Sequence, residues 1–354
     1  MKKQAKRFSI KNKLLVIFGL LVFAAITILG VLATKIARKA VIEKVETHLI
    51  DKASDVAEII DGRISAFFQF LEGVARMPDL RNESLSAAEK SAILEHEASI
   101  NPLINHLQLT DSRGKTYYSG TILNNSDKSW FQTAIKGGKG VSAPFPNALN
   151  PDDLISILSI PIYDDNHLIF GTLDAIINAY WFSDQIKEIR VGQSGECYIL
   201  DSSGSTVADK DAALVKNREN TVEEAKKDSS LASCAAFEKM AVEIDKPSIG
   251  FYEYKGEKVI ASYTKMKSTD WTIIIDAPVH EFMGTVDTLR ISIVIINAII
   301  FIIALIIVYL TSLKIVHPIE TTVGALQSIA QGEGDLTVRL PVTGNDEITD
   351  LSEY

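Results

Sequence analysis

Two long stretches of the chain carry no charged residue, and they constrain the fold more than any other feature. Residues 14–34 form an uncharged run of 21, and residues 291–313 form a second run of 23. A helix rises about 1.5 Å per residue, so each run is long enough to cross the hydrocarbon layer of a membrane, which is about 30 Å thick. The sequence therefore predicts transmembrane helices at 14–34 and 291–313.

The charges around the first run predict its orientation. Residues 1–13 contain six lysines and arginines and no acidic residue, and positively charged tails stay in the cytoplasm. The run also exceeds the apolar core of a cleaved signal peptide, which is about 7–15 residues. We therefore expect a multi-pass protein of the cell membrane with both termini cytoplasmic and residues 35–290 outside. The net charge of −9 argues against a nucleic-acid partner.

The segment between the two runs begins with a helical pattern and continues with strands. Apolar residues recur at three- to four-residue steps through 36–77, and no proline precedes Pro78, so a single long helix is predicted there. Strand patterns follow at 104–111, 115–119, 154–163 and 168–177, each pair separated by turn residues. A short helix is expected at 126–138, where it ends in two glycines.

The strand pattern repeats along the chain. The sequence QLTDSRG at 108–114 is echoed by YILDSSG at 198–204, so that Asp111 and Asp201 lie 90 residues apart. The strand-to-helix sequence at 171–182 is echoed at 271–282. We therefore predict an α+β fold with two tandem antiparallel-sheet modules, at about 100–190 and 191–278. Cys197 and Cys234 are expected to be buried free thiols, although a disulfide between them stays open.

Motifs that carry catalysis or metal binding do not occur in the sequence. The six histidines form no His-x-x-x-His pattern and no cluster with cysteine, and no Gly-x-Ser-x-Gly or Walker sequence is present. Gly137 and Gly138 close a predicted helix, whereas a phosphate-binding glycine loop opens one. We expect a protein that is not an enzyme and that has no cofactor and no metal site.

Residues 314–354 resemble part of a HAMP signal-relay module. The resemblance rests on Pro318 after the second run, on the Gly-Asp-Leu connector at 334–336, and on the acidic helix start at 346–347. The exported segment resembles a double Cache sensor with PAS-like modules, and the whole chain resembles a C-terminally truncated methyl-accepting chemotaxis protein. The resemblance implies a homodimer that acts on a cytoplasmic chemotaxis kinase and its adaptor through a further C-terminal region.

The resemblance also implies a ligand site in the membrane-distal module, at about 100–190. Amino-acid sensors of this kind bind the ligand carboxylate with Arg-x-Trp-Tyr, and the ammonium with Tyr-x-Asp and a strand aspartate. The matching candidates here are Lys128, Trp130, Phe131, Phe145, Asn147 and Asp174, with Tyr118 as an additional candidate. Four positions depart from the pattern, since lysine replaces arginine, asparagine replaces aspartate and two phenylalanines replace tyrosines. The expected ligand is therefore amino-acid-like, an amine or a small carboxylate.

Other interpretations stay open at the level of sequence. Trp130 and Phe131 also suit the core of a short amphipathic helix, Lys128 a solvated first turn, and Asp174 a capped turn. We expect a transmembrane chemoreceptor that senses a small extracellular molecule and relays the signal through HAMP. The alternatives are the sensor part of a histidine kinase or a diguanylate cyclase, and a binding or adhesion protein that sends no signal.

Overall fold

The structure is a computed structural model that describes residues 9–82, 84–118, 121–331 and 350. The residues on which the HAMP connector and second helix were predicted, 332–336 and 346–347, lie outside the described residues. The chain divides into two compact units: residues 1–41 together with 283–354, and residues 42–282.

The helices and strands account for most of the described residues. The helices are α1 (Ile10–Ala75), α2 (Pro78–Arg81), α3 (Ala87–Ile100), α4 (Ser129–Ala134), α5 (Tyr180–Ile186), α6 (Ala212–Asn217), α7 (Thr221–Glu224), α8 (Ala232–Glu243) and α9 (Val279–Ala330), with a 3-10 turn at Ser229–Leu231. The strands are β1 (Ile104–Asp111), β2 (Lys115–Tyr118), β3 (Thr121–Asn124), β4 (Gly140–Val141), β5 (Phe145–Pro146), β6 (Leu154–Tyr163), β7 (Ile169–Asn178), β8 (Glu196–Leu200), β9 (Thr206–Ala208), β10 (Ser248–Tyr254), β11 (Glu257–Lys265) and β12 (Thr272–Pro278).

The unit formed by residues 1–41 and 283–354 contains the two apolar runs. Both runs lie within helices that are long and apolar enough to cross a membrane, α1 and α9. The two helices meet through an edge-to-face contact between Phe23 and Phe301 and through Asn297 Nδ2, which donates a 3.3 Å hydrogen bond to the carbonyl of Ile26. A Cβ on Gly30 would lie 2.9 Å from Asn297 Nδ2, so only glycine leaves space for this contact.

The remainder of α1 is the spine of the unit at 42–282. Its buried residues recur at helical spacing from Leu49 through Ile60 to Leu71 and form one apolar stripe. The stripe is joined to the second half of the unit by hydrogen bonds: Ser262 Oγ donates to the carbonyl of Leu49 at 2.7 Å, and Asp61 accepts the backbone amides of Lys267 and Ser268. The second half of the unit therefore has a fixed position along α1.

Two antiparallel sheets follow α1. The first sheet has the strand order β3-β2-β1-β7-β6-β4, with β5 also paired to β6. Residues of β6 and β7 are buried on both faces, which explains why these strands are apolar almost throughout. The second sheet has the order β10-β11-β12-β8-β9, and its central strand, β12, continues along the chain into α9 without an intervening residue.

Several sequence predictions are confirmed and others are corrected. The bounds of β1 and β6 are as predicted, whereas the helix expected at 126–138 is shorter because α4 covers only Ser129–Ala134. The long helix expected at 36–77 is one helix with the first apolar run, since no proline or glycine pair interrupts it. Pro318 lies inside α9, which continues through it to Ala330. Cys197 and Cys234 are buried free thiols.

Candidate ligand-binding site

A buried carboxylate lies at the centre of the first sheet. Asp174 is on β7, where it pairs with Gln108 of β1 on one side and Ser159 of β6 on the other. Its side chain is completely inaccessible to solvent. The carboxylate accepts hydrogen bonds from Ser159 Oγ at 2.5 Å, from Thr172 Oγ1 at 2.8 Å and from Thr110 Oγ1. Three hydroxyl donors thus solvate a carboxylate that water does not reach.

Burial controls the ionisation of this group. Removal from water raises the pKa of Asp174 to about 6, although hydrogen bonds from Ser159, Thr110, Thr172 and Gln108 act in the opposite direction. Within the described part of the chain, no lysine, arginine or histidine acts on the ionisation of Asp174. The carboxylate is therefore ionised at neutral pH at a cost in free energy, and a cation that reached it would remove that cost.

Aromatic and aliphatic residues lie on the same face of the sheet. Trp130 and Phe131 from α4 are each 2% exposed and pack with Ile155 and Ile157 of β6 and with Ile176 of β7. Ile176 lies two residues after Asp174 on β7, so side-chain alternation places both on one face. The Trp130 and Phe131 rings meet edge to face with their centroids 6.3 Å apart. An apolar wall therefore adjoins the polar centre of the sheet.

Two buried polar atoms on this face have no hydrogen-bond partner among the described residues. They are the acceptor Gln108 Oε1 and the donor Trp130 Nε1. A buried polar atom without a partner costs about 1–3 kcal/mol, so such atoms are rare in folded proteins unless a ligand or water binds them. Together with Asp174, they supply one anion, one neutral acceptor and one donor. This set suits a small molecule that carries an ammonium group and a carboxylate.

The other predicted residues lie at the start of α4, on β2, on β5 and in the turn that follows β5. Lys128 is the N-cap residue of α4, and its exposed ammonium is 3.3 Å from Asp127 Oδ2. Phe145 is half-buried and packs against the aromatic cluster. Asn147 Oδ1 accepts the backbone amide of Leu149 at 3.0 Å, a local turn contact. The backbone of Tyr118 is part of β2, but its side chain lies outside the described part of the chain.

A polar cavity of about 630 Å³ lies beside these residues. Three of the predicted residues line it, Lys128, Trp130 and Phe145, opposite Arg218 and Lys267 from the second half of the unit. Asp174, Phe131 and Asn147 do not belong to the lining among the described residues. The structure thus brings part of the predicted set to an open cavity and places Asp174 at a closed position in the sheet.

Comparison with known proteins identifies the fold family. The family model described as the Cache domain matches residues 33–286, which is most of the chain and includes both sheets. The chain belongs to the Cache domain family. The model of the HAMP domain matches residues 310–354. The Cache and HAMP resemblance predicted from the sequence is therefore confirmed.

The curated relative in this comparison is a chemotaxis receptor. The chain is 24% identical over 367 residues to the methyl-accepting chemotaxis protein PctB of Pseudomonas aeruginosa, and the match covers 98% of this chain and 53% of the relative. The chain thus spans about half the length of the curated relative that it matches. The match includes the Cache domain, the HAMP domain and both apolar runs.

Solved structures of ligand-binding domains have the same fold as this Cache domain. The domain of the Pseudomonas fluorescens chemoreceptor CtaA, in complex with L-isoleucine, aligns with a TM-score of 0.53 at 14% identity and covers 70% of this chain and 98% of that chain. The domain of the Pseudomonas aeruginosa amino-acid chemoreceptor PctC, in complex with GABA, aligns with a TM-score of 0.51 at 17% identity and covers 66% and 99%.

The sequence did not reveal the buried polar residues around Asp174, which we call its polar shell. The missed residues share one property, a buried hydroxyl or amide on the face of the sheet that carries Asp174: Gln108, Thr110, Thr116, Ser159 and Thr172. The available signal was the alternation of polar residues at every second position of otherwise apolar strands, as in Gln108 and Thr110. Strand register, which the sequence does not provide, was needed to bring the three strands together around one carboxylate.

Proposed function

We propose that this chain is the sensor and relay part of a transmembrane chemoreceptor that binds a small molecule carrying an ammonium group. The observation that carries the proposal is Asp174, a completely buried carboxylate with hydroxyl donors around it and, among the described residues, no cationic group acting on its ionisation. A purely structural role would be filled more stably by an apolar residue, since an unpaired buried charge lowers stability. The similarity to PctB supports the assignment to chemotaxis.

The ligand would be held at both ends. Its ammonium group would pair with Asp174 and with Gln108 Oε1, and its carboxylate would accept the unpartnered hydrogen of Trp130 Nε1. The faces of Trp130 and Phe131 would also attract an ammonium group. Lys128 would supply a positive charge at the carboxylate end, although a lysine does not give the two-pronged contact of an arginine. Phe145, Asn147 and Tyr118 complete the proposed site.

The class of ligand follows from these contacts. L-isoleucine and GABA, the ligands in the CtaA and PctC structures, both carry one ammonium and one carboxylate group. Because Asn147 replaces an aspartate and Lys128 replaces an arginine, we expect the site to discriminate less strongly between α-amino acids and other compounds that carry an ammonium group. Amino acids, ω-amino acids and short amines are therefore the ligands to be tested.

The proposed receptor has the domain boundaries of the sequence analysis. Residues 1–13 are a cytoplasmic tail, 14–34 and 291–313 span the membrane, and 35–290 form an extracytoplasmic double Cache sensor with modules at about 100–190 and 191–278. Residues 314–354 are part of a HAMP module on the cytoplasmic side. The receptor would be a homodimer without enzymatic activity that controls a chemotaxis kinase and its adaptor. The two long apolar helices and the Cache and HAMP matches support this arrangement.

Thermal unfolding of the purified chain in lipid nanodiscs tests the proposal. All three tryptophans of the chain, at 130, 181 and 271, lie in the Cache domain, so their fluorescence reports its unfolding. A panel of L-amino acids, GABA, short amines and short carboxylates is added to the chain. A ligand at 100 times its dissociation constant adds about 2.7 kcal/mol of stability.

Variants of the chain locate the site. Asp174→Asn and Trp130→Phe should abolish the stabilisation, because they remove the anion and the indole donor. The control Asp184→Asn, which changes an exposed aspartate paired with Lys187, should leave it unchanged. A panel that stabilises nothing, or a compound that stabilises Asp174→Asn as strongly as the native chain, would contradict the proposed site.

A further inference from the structure

The segment that joins the two sheets of the Cache domain is attached to two side chains of the unit at 42–282, Lys52 of α1 and Glu281 in the first turn of α9. This linker, residues 187–195, connects α5 to β8. Lys52 Nζ of α1 donates a 3.1 Å hydrogen bond to the carbonyl of Arg190. Further along the linker, Gly195 donates its amide to the carbonyl of Val191 at 3.1 Å and closes a turn. The linker is therefore an ordered turn with specific contacts.

The second attachment is a carboxylate at the beginning of α9. Glu281 lies in the first turn of this helix, and its two oxygens bind consecutive residues of the linker. Oε2 accepts the backbone amide of Gln193 at 2.6 Å, and Oε1 accepts the backbone amide of Ser194 at 3.0 Å and the hydroxyl of Ser194. We call these three residues the Glu281 clamp. A charged acceptor that bridges two adjacent amides is stronger and more directional than a neutral one.

Two glycines of the linker allow this approach. A Cβ on Gly192 would lie 2.2 Å from Glu281 Oε2, and Gly192 has a φ of +68°, which favours glycine. A Cβ on Gly195 would lie 2.5 Å from the carbonyl oxygen of Asp276 on β12. The linker therefore contacts β12 and α9 closely on both sides of the junction where the strand becomes the helix.

The linker also follows directly from the strand that carries the proposed ligand carboxylate. Asp174 is on β7, β7 leads to α5, and α5 leads to the linker. The α5 residue Phe182 stacks edge to face on Trp271, the residue before β12, with ring centroids 4.9 Å apart. A shift of α5 would thus reach β12 through Phe182 and the beginning of α9 through the linker.

From this arrangement we propose that Glu281 is a positioning residue for signal transmission: it fixes the start of α9 to the linker, so that movement of the linker displaces α9. The residue contacts no ligand in the proposed site and acts on α9 through Gln193 and Ser194. The role of Glu281 in signalling rests on the proposed receptor function, whereas the attachment of the linker to the start of α9 does not depend on that function.

Hydrogen–deuterium exchange on the whole chain in lipid nanodiscs, without any ligand, tests the clamp. Glu281→Gln keeps the size of the side chain but removes its charge, so the amides of Gln193 and Ser194 should exchange about tenfold faster. The matched control is Glu257→Gln, an exposed glutamate that lies 4.0 Å from His280 at the start of α9. The control should leave both linker amides unchanged. Unchanged exchange in Glu281→Gln would overturn the clamp.

A double-mutant cycle separates coupling from simple loss of stability. Gly192→Ala places a methyl group against Glu281, and Glu281→Ala removes the carboxylate. Each should raise amide exchange in the second turn of α9, residues 283–286, by a similar factor, and the double variant should exchange no faster than either single variant. Additive effects, or exchange in α9 that follows only the global stability measured by tryptophan fluorescence, would overturn the proposal. Because no ligand is used, this result is independent of the ligand screen.

Discussion

Equivalent positions of the two sheets carry side chains of opposite character, a carboxylate in the first sheet and an aliphatic group in the second. In the first sheet Asp174 pairs with Gln108 and Ser159, whereas in the second sheet Ile274 pairs with Tyr198 and Tyr263. Gln108 and Tyr198 each lie three residues before the aspartate of an Asp-Ser-x-Gly turn, which establishes the equivalence. The first sheet thus has a hydroxyl-lined carboxylate where the second has an aliphatic side chain.

Helix α8 packs on the second sheet and contributes to the apolar cluster that contains Ile274. Phe237 of α8 stacks on Tyr252 and Tyr263 of the sheet, and all three side chains are buried in one apolar cluster with Ile274. The corresponding region of the first sheet has the polar shell of Asp174 beside the aromatic residues of α4. One strand arrangement therefore supports an apolar cluster around Ile274 in the second half and a hydroxyl-lined carboxylate at the equivalent position of the first. Among the residues that the structure describes, buried polar atoms without a partner occur in both halves, at Gln108 Oε1 and Trp130 Nε1 in the first and at Glu238 Oε2 in the second, so the contrast lies in the side chain at this one position.

The largest expected effect comes from placing the carboxylate in the wrong sheet. Ile274→Asp would bury an ionised group in an apolar cluster without the hydroxyl donors that surround Asp174, and it should destabilise the Cache domain by roughly 4 kcal/mol or more. The control Ile274→Val should cost about 1 kcal/mol. Tryptophan fluorescence during urea unfolding of the chain in nanodiscs measures both. A change of less than about 1 kcal/mol in Ile274→Asp would show that the two sheets do not differ as described.

Removing the ionisable carboxyl group from the first sheet should stabilise the ligand-free protein. Burial raises the pKa of Asp174 from 3.8 to about 6, so the folded state holds its proton more tightly than the unfolded state. Stability is therefore lost as the pH rises from about 4 through about 6, and a shift of about 2 units corresponds to about 3 kcal/mol. Asp174→Asn removes this loss. Its unfolding free energy should equal that of the native chain near pH 4 and exceed it by up to about 3 kcal/mol at pH 7.5.

That prediction also separates a binding role from a structural one. If Asp174 stabilised the ligand-free fold, Asp174→Asn would lower the unfolding free energy at pH 7.5. Parallel pH profiles for the native chain and the variant would equally contradict the raised pKa.

A smaller effect should follow from removing one hydroxyl of the polar shell. Thr110 Oγ1 donates to Asp174 and also lies 2.5 Å from Thr116 Oγ1. Thr110→Val removes a donor that favours the ionised carboxylate, so the pKa of Asp174 should rise by about one unit. The pH profile of stability of Thr110→Val, compared with that of the native chain, reports this shift. Thr133→Val, which changes an exposed hydroxyl of α4 bonded to the carbonyl of Ser129, serves as the control and should not move the profile.

Local sequence patterns predicted the strands but not how they pair. The bounds of β1 and β6 follow from their apolar residues and from the turns that flank them. The repeat of 171–182 at 271–282 matches Asp174 with Ile274, but it does not say which strand lies beside either residue. The register, which pairs Ile274 with Tyr198 and Asp276 with Glu196, depends on backbone hydrogen bonds between strands that are distant in sequence.

Contacts between residues distant in sequence were also beyond prediction. Glu281 is 88 residues from Gln193, and neither residue belongs to a recognisable motif. The family resemblance pointed to Asp174 and Trp130, and both side chains are buried, the first on β7 and the second on α4, which packs against the same sheet. Whether they bind a ligand stays a prediction. The unpartnered atoms of Gln108 and Trp130, which support the site most directly, depend on side-chain packing that no single sequence pattern encodes.

The pH dependence of ligand affinity tests most directly whether an ionised Asp174 binds the ammonium group of the ligand. Affinity of the strongest stabilising compound is measured by tryptophan fluorescence from pH 7.5 to pH 5.0, for the native chain and for Asp174→Asn. We expect the affinity of the native chain to be constant above about pH 6 and to fall by about tenfold per pH unit below it, with weak and pH-independent binding to the variant. Equal affinity of both proteins, or native affinity that does not change across this range, would contradict this expectation.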